Sequence, residues 1–199
     1  MKDNYKYVKN MLSDDMVEFL STYALRKASE GKNRPDELVP LSTSFHAFHH
    51  GSDIFNHVIH FLQPIVEKET SLKLKPIYSF NRIYLPGSDL PIHKDRPSSE
   101  ISASITLKYF YKNKDYKWPL CMGNKPILIE KGDGVIYKGC EIDHWRPVFS
   151  QPDGCWHHQL FVFYVNKEGP FKDLQEETNQ EIVNSNFALE EKLEKIKNN

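Results

Sequence analysis

The sequence is poor in cysteine, has no excess of charge of either sign and contains no long apolar run. Its three cysteines follow neither a disulfide nor a metal-ligand spacing, which favours free thiols and predicts a cytoplasmic protein. The formal net charge of −1 gives no general attraction to nucleic acid or to an anionic membrane surface. We therefore expect no nucleic-acid partner, no membrane span and no secretion signal.

Arginine is also scarce, because the chain has 21 lysines but only five arginines. Three of the five, Arg82, Arg96 and Arg146, lie beside the candidate site residues described below. The planar guanidinium group binds a carboxylate through two parallel hydrogen bonds, which a lysine ammonium does not do. The placement of these scarce residues therefore indicates a site that binds anions.

The chain is long enough for one domain with a full core, and we predict a single domain over residues 1–199. Residues 1–72 are predicted to be largely helical, with a helix over 13–30 capped by Ser13 and a second helix from residue 52 or 53. Pro64 is expected to kink or interrupt that second helix. Residues 171–199 are predicted to form one docked helix with a frayed end, which offers a surface for a homo-oligomer and leaves the oligomeric state open.

Residues 73–170 have the pattern of a β-sheet core. Many short strands without intervening helices predict an antiparallel sandwich or barrel. The predicted strands are 76–84, 101–111, 126–130, 134–137, 141–145 and 157–166.

The first candidate motif is His93-x-Asp95, which follows the predicted strand 76–84 and a Pro-Gly turn. Residues i and i+2 of an extended segment point to the same face, so the imidazole and the carboxylate lie side by side. The motif alone is weak, since about 0.5 such matches are expected by chance from the His and Asp content. A second strand-like run, after a Gly-Asp-Gly turn, ends at His144. Two His and one carboxylate with open positions form the facial triad that suits non-haem Fe(II).

These residues and their strand order resemble the Fe(II)/2-oxoglutarate-dependent dioxygenases, and within them the prolyl-4-hydroxylase-like branch. That branch has an N-terminal helical part, a strand ending in Tyr-x-Pro-Gly (here Tyr84 to Gly87), the His-x-Asp pair and a distal His before the last strand. The resemblance covers residues 74–168. It implies an α+β, mainly β fold, with a double-stranded β-helix (jelly-roll) core, N-terminal helices packed on it and a C-terminal helix.

The resemblance also implies an activity. His93, Asp95 and His144 would hold Fe(II), with the remaining positions for 2-oxoglutarate and O₂. The co-substrate would be converted to succinate and CO₂ while a C–H bond of a peptide side chain, amino acid or small metabolite is hydroxylated. Tyr84 matches the tyrosine that hydrogen-bonds the co-substrate. The presence of Asp95 favours hydroxylation, because related halogenases lack this carboxylate.

The sequence departs from the family at the far carboxylate of 2-oxoglutarate. The family places an Arg or Lys on the last strand, but residues 153–158 contain neither. A buried unpaired carboxylate is too costly, so another group must neutralise it. Arg146 is the first candidate because it shares the face of His144. Lys108, on the polar face of its predicted strand, is the second, and His158 or the adjacent His157 is the third.

Two further arginines are candidates for substrate binding. Arg82 either faces the pocket and holds an anionic substrate group or forms a salt bridge on its strand. Arg96 either orients Asp95 or holds the substrate. The patch of His46, His49 and His50 is assigned solvated or capping roles in preference to a second metal site.

Two other functions remain open at this stage. The first is a cupin-like metal-binding protein that acts as an isomerase or binding module. A typical cupin supplies more His ligands and a Glu from adjoining strands, which argues against it. The second is a non-catalytic sensor that keeps the metal site. The missing basic residue favours the sensor, whereas the intact Asp95 and Tyr84 favour the enzyme.

Overall fold

The computed structural model describes residues 1, 3–29, 34–35, 45–46 and 53–175. Two helices, α1 (Asp14–Ser29) and α2 (Asp53–Thr70), and one 3-10 turn (Pro97–Ser99) accompany the strands. The strands are β1 (Tyr5–Val8), β2 (Arg34–Pro35), β3 (Phe45–His46), β4 (Leu74–Tyr84), β5 (Leu90–His93), β6 (Ile101–Phe110), β7 (Leu120–Met122), β8 (Lys125–Ile127), β9 (Gly134–Lys138), β10 (His144–Arg146) and β11 (Trp156–Asn166).

Two antiparallel sheets enclose the interior of the protein. The main sheet has five strands in the order β1-β9-β6-β11-β4, and the second sheet has four in the order β5-β10-β7-β8. Most neighbouring strands are distant in sequence, so the chain crosses repeatedly between the sheets as in a jelly roll. The expected mainly β architecture with helices at its N-terminal side is therefore present.

Helix α1 forms where capping and hydrophobic periodicity agree. The Ser13 hydroxyl accepts a hydrogen bond from the Met16 backbone N–H at 3.3 Å, and Asp14 and Asp15 suit the positive end of the helix dipole. Val17 and Leu20 are fully buried on one face of α1, which packs against β6. The cap and the apolar stripe together fix where α1 begins and which face it buries.

Helix α2 runs without interruption through Pro64, so the expected interruption was wrong, while the expected kink stays a prediction. A proline removes one backbone hydrogen bond, but apolar residues on both sides of Pro64 are anchored in the core. Leu62 and Val66 are both fully buried, and the helix packs on β4. Tertiary packing thus outweighs the local cost of the proline.

Strand β11 separates two differently lined compartments. Leu160, Val162 and Tyr164 belong to the core that lies between the main sheet and the helices. Phe161 and Phe163 alternate with them and pack on the opposite face, toward the second sheet. Because both faces are covered, β11 is buried over nearly its whole length.

Several expectations had a different outcome. The short strands β1, β5 and β7 were not predicted, and the second-sheet strands are shorter than expected. The predicted C-terminal helix and the side chains of His46, His49 and His50 lie outside the described residues. The division of the chain into three parts remains a prediction. In the described part of the chain, no helix is both long and apolar enough to cross a membrane.

Replacing Leu160 by Ala should lower the free energy of unfolding by about 2–5 kcal/mol, because Leu160 is fully buried between sheet and helices. Urea unfolding measures this change. The matched control is Leu128→Ala, since Leu128 is 44% exposed and should change stability by less than about 0.5 kcal/mol. Equal effects of the two substitutions would contradict the assignment of the core.

Candidate metal centre

The two predicted His ligands are direct neighbours across an antiparallel strand pair. His144 opens β10 and lies opposite His93, the last residue of β5. Directly paired residues point to the same face of a sheet, and the ring centroids are 4.2 Å apart. His144 is buried at 3% side-chain exposure, whereas His93 is 38% exposed. The pair therefore lies at an opening of the interior, with the His93 side toward solvent.

Asp95 is held beside this pair by its backbone and by one hydroxyl. Its N–H donates to the Gly139 carbonyl at 2.9 Å, and its Oδ2 accepts a hydrogen bond from Ser102 at 2.8 Å. A Cβ at position 139 would overlap the Asp95 carboxylate and the Ser99 carbonyl, so only glycine allows this close approach. The second oxygen, Oδ1, lies 3.6 Å from His93 Nε2 and 3.5 Å from His144 Nε2.

The hydrogen bonds of the two imidazoles leave the correct atoms free for a metal. His93 Nδ1 lies 2.8 Å from the Pro91 carbonyl, and His144 Nδ1 lies 3.2 Å from the Ile142 carbonyl. A carbonyl can only accept, so both Nδ1 atoms carry a proton, and both Nε2 atoms face Asp95. The three ligand atoms lie within 4.8 Å of one another. Once the Nε2 protons are released, the two imidazoles and the carboxylate oxygen converge in a way that fits a divalent cation such as Fe(II).

The electrostatics of the triad follow from the same geometry. Burial alone would raise the pKa of Asp95, but hydrogen bonds from His144 and His93 outweigh it and hold the pKa well below its usual range. Burial would lower the pKa of His93, but its hydrogen bond with Asp95 outweighs this and raises the pKa. The carboxylate is therefore ionised and available as a ligand at neutral pH.

Arg146 lies in the interior, two residues beyond His144 on β10. It is 2% exposed, and it donates from Nη1 to the Trp118 carbonyl and from Nη2 to Gln159 Oε1, both at 3.1 Å. Its guanidinium carbon lies 4.5 Å from the centre of the Trp118 ring. Among the described residues no carboxylate pairs with it, and its Nε has no hydrogen-bond partner. Burial lowers the pKa of Arg146, which is the electrostatic cost of keeping this cation away from water.

Gln159 holds this arginine and was missed by the sequence reasoning. Its Oε1 accepts hydrogen bonds from Arg146, from Thr106 at 3.2 Å and from His157 Nε2 at 2.8 Å. Its Nε2 donates to Ser104 at 2.9 Å. Gln159 lies on the last strand, just beyond the window in which a basic residue was expected. Its inward position on β11 is the signal that the sequence offers, but an uncharged amide is not a group expected to neutralise a carboxylate.

His157 is buried and neutral, because burial and the nearby Arg146 charge lower its pKa far below the usual value. Since Nε2 donates to Gln159, Nδ1 accepts the hydrogen bond of the Tyr111 hydroxyl at 2.7 Å. His157 thus supports Gln159 and does not itself supply a positive charge.

The structure places Lys108 on the opposite face of the sheet from the triad. Its ammonium group donates to both oxygens of Glu18 on α1, at 2.9 and 2.8 Å. A β-bulge is the cause: Thr106 pairs with Gln159 and Lys108 pairs with His158, so Leu107 is an extra residue on β6. The strict alternation assumed from the sequence fails at this point. Lys108 is therefore not in position to bind the far carboxylate of 2-oxoglutarate, and that prediction is corrected.

His158 also faces α1. Its Nδ1 lies 3.1 Å from the Ser21 hydroxyl, and its Nε2 lies 2.8 Å from Asn81 Oδ1. Its strand neighbour His157 points to the interior instead, as alternation requires. His158 is therefore also not in position to bind the far carboxylate, and that prediction is corrected.

Tyr84 and Arg82 are buried in the interior, whereas Arg96 is exposed. The fully buried ring of Tyr84 has the Arg82 guanidinium carbon 5.2 Å and the Arg146 guanidinium carbon 5.9 Å from its centroid. Arg82 also donates to the Tyr84 hydroxyl at 3.3 Å. Arg96, next to Asp95, lies 4.8 Å over the ring of Tyr78. The structure thus brings Tyr84, Arg82 and Arg146 together and places Arg96 beside the metal carboxylate.

In the metal-free protein, Asp95→Asn should lower the free energy of unfolding, and the decrease should be largest between about pH 4 and about pH 6.5. The lowered Asp95 pKa gives a contribution that is complete above the unfolded-state pKa and is lost as pH falls through the folded-state pKa. The raised His93 pKa gives a second contribution to the free energy of unfolding. This contribution is complete below the unfolded-state pKa of His93 and is lost as pH rises through its folded-state pKa. Urea unfolding across this range with a chelator measures the difference, and a pH-independent difference would contradict the prediction.

No protein-family model and no curated protein sequence matches this chain. Solved structures do match its fold. A prolyl-4-hydroxylase from Pseudomonas putida is 18% identical with a TM-score of 0.63, over 82% of this chain and 92% of that one. A viral collagen prolyl hydroxylase from Paramecium bursaria Chlorella virus-1, in complex with 2-oxoglutarate, is 13% identical with a TM-score of 0.60, over 81% of this chain and 95% of that one.

A third similar structure has a different activity. SnoN, a non-haem 2-oxoglutarate-dependent epimerase from nogalamycin biosynthesis, is 12% identical with a TM-score of 0.65, over 82% of this chain and 79% of that one. All three neighbours match across most of their own length. The chain therefore has the fold of the Fe(II)/2-oxoglutarate-dependent oxygenases, with prolyl-4-hydroxylases among its structural neighbours.

Proposed function

We propose that the protein is an Fe(II)- and 2-oxoglutarate-dependent oxygenase that hydroxylates a C–H bond of its substrate. The observation that carries the proposal is the buried guanidinium of Arg146, which lacks a carboxylate partner among the described residues and shares the interior with the His93, Asp95 and His144 triad. A cation in this position requires an anion to offset its desolvation. A ligand with anionic groups at both ends would reach from the metal to Arg146.

His93, Asp95 and His144 would hold the iron, each through one atom. With 2-oxoglutarate and O₂, a bound Fe(II) supplies the oxidising chemistry, and succinate and CO₂ are the co-products. The Pro91 and Ile142 carbonyls fix the Nδ1 protons, so both Nε2 atoms face the metal position and would bind the ion on losing their protons. The protein also keeps Asp95 ionised, so the ligand set is ready at neutral pH.

Arg146 would bind the far carboxylate of 2-oxoglutarate. A guanidinium has five N–H donors, and the hydrogen bonds to Trp118 and Gln159 occupy one each on Nη1 and Nη2. The Nε–H remains available for a charge-assisted hydrogen bond to a carboxylate. The Tyr84 hydroxyl, next to both arginines, would hydrogen-bond the same ligand.

The substrate would approach from the side of His93, the exposed ligand of the triad. Four stacked aromatic rings cover the inner face of β4 and β11. The ring centroids of Tyr78 and Phe163 are 4.3 Å apart, and those of Phe80 and Phe161 are 4.8 Å apart. Arg82 and Arg96 flank these rings and would bind an anionic group. We propose that the substrate is a peptide side chain, an amino acid or a small metabolite.

Hydroxylation is favoured over halogenation because the metal carboxylate, Asp95, is present. An epimerase also shares the fold, so the fold by itself does not select the reaction. Asp95 fills the position that would have to be vacated for a halide. Hydroxylation is therefore the simplest outcome for this ligand set.

Anaerobic titration of the Fe(II) protein with 2-oxoglutarate should produce the weak visible charge-transfer band of the chelate. Arg146→Met should weaken 2-oxoglutarate binding about a hundredfold, since removing one partner of a buried charge pair costs about 3 kcal/mol. The control is Lys108→Met, which removes an equal charge from the outer face and should leave the band unchanged. Asp95→Ala should abolish the band.

A chelate band that survives Arg146→Met would contradict the anchor. Fe(II) binding without a band at any 2-oxoglutarate concentration would contradict the co-substrate, and the cupin-like or sensor function would then be favoured.

Moving the positive charge from a strand of one sheet to a strand of the other tests the same site in a second way. The double variant Arg146→Gln and Gln159→Lys moves the cation from β10 to β11 and keeps the buried charge constant. It should recover part of the 2-oxoglutarate affinity that the single variant Arg146→Gln loses, because the two side chains touch. The chelate band measures both variants. Equal affinities for the single and double variants would show that a cation at position 159 does not replace Arg146.

A further inference from the structure

Three hydroxyl side chains on β6 connect the two halves of the site. Ser102, Ser104 and Thr106 are fully buried and alternate with the apolar residues Ala103 and Ile105, which pack toward the helices. We propose that they are positioning residues: Ser102 orients the metal carboxylate, and Thr106 and Ser104 orient Arg146 through Gln159. The proposal rests on the function proposed above and identifies what fixes the metal and the anion anchor relative to each other.

At one end, Ser102 selects which oxygen of Asp95 faces the metal. Its hydroxyl lies 2.8 Å from Asp95 Oδ2 and 3.0 Å from the Ser99 carbonyl. Because Oδ2 is engaged, Oδ1 is the oxygen that faces both His Nε2 atoms. Ser102 therefore favours single-atom ligation by Asp95 and leaves the other metal positions open. Groups that orient a metal ligand in this way typically change metal affinity by about 10–100-fold when removed.

At the other end, two hydroxyls fix the orientation of the Gln159 amide. Thr106 donates to Oε1 at 3.2 Å, and Ser104 accepts from Nε2 at 2.9 Å. This orientation points the amide oxygen at Arg146 Nη2. The reversed amide would place its N–H donors against the guanidinium donors, which is unfavourable. Thr106 and Ser104 therefore keep Gln159 in the orientation that holds Arg146.

The backbone makes the spacing between the two ends rigid. Strand β6 is paired on both sides, with β9 over its first half and with β11 over nearly its whole length. Ser102 and Thr106 are separated by about 13 Å along an extended strand. The bulge at Leu107 comes directly after Thr106 and ends the row of inward hydroxyls. A single central strand thus sets the relation between metal ligand and anion anchor.

The test compares Ser102→Ala with Thr106→Val, and uses Ser79→Ala as the control. Ser79 is equally buried on the helix-facing side of the main sheet and donates to the Phe55 carbonyl, so its loss tests stability alone. Two dissociation constants are measured for each full-length protein. Co(II) absorption without co-substrate gives the metal affinity, and the chelate band at saturating Fe(II) gives the 2-oxoglutarate affinity.

We expect the two variants to affect different ligands. Ser102→Ala should weaken metal binding by about tenfold and change 2-oxoglutarate affinity by less than about twofold. Thr106→Val should weaken 2-oxoglutarate binding by about fivefold, as for the loss of one hydrogen bond, and leave metal affinity unchanged. Thr106→Ser, which restores the hydroxyl, should recover the wild-type value. Ser79→Ala should change neither affinity.

The inference would be overturned if each variant weakened the binding of metal and of 2-oxoglutarate equally, or if both variants behaved like Ser79→Ala. Failure of Thr106→Ser to recover affinity would overturn the role of Thr106. A wild-type protein that binds Co(II) but forms no chelate contradicts the proposed function and the Thr106 half of the inference. Ser102→Ala then decides the metal half by itself through Co(II) affinity.

Discussion

The buried charge of Arg146 is the constraint on which the interior of this protein depends. A guanidinium enclosed between two sheets must be hydrogen-bonded, and the protein supplies the Trp118 carbonyl and the Gln159 amide for this purpose. Neither partner neutralises the charge. The polar residues of the neighbouring strands, from Thr106 to His157, are arranged around this one cation.

The candidate metal ligands and Arg146 both belong to the interior side of the sheets, and the chain divides the supporting tasks by strand. Strand β10 carries His144 and Arg146, so a single short segment brings together a candidate metal ligand and the proposed anion anchor. Strand β6 supports both, and β4 contributes Tyr84 and Arg82 at the side. On β6, polar side chains face the interior while Ala103 and Ile105 pack against the helices. The same alternation that builds the fold therefore builds the site.

The triad could be predicted from the sequence because each ligand has a local signature: His93 and Asp95 share one face of an extended segment, and His144 follows a Gly-rich turn. Lys108 was assigned to the wrong face because one extra residue at Leu107 reverses the alternation, and a bulge leaves no mark in the hydrophobic pattern. Gln159 was missed because its role depends on a partner from another strand. Strands β5 and β7 are too short to show a period.

The cross-strand pairing of His93 and His144 has a mechanical consequence. Strand β5 is an edge strand of four residues, hydrogen-bonded to β10 alone. An ion shared by His93, Asp95 and His144 would cross-link this edge to its neighbour. Such a cross-link acts on local opening and not on global unfolding, because the main sheet has its own core. Amide hydrogen exchange in residues 90–95 is therefore expected to slow when metal binds, while exchange in β11 stays the same.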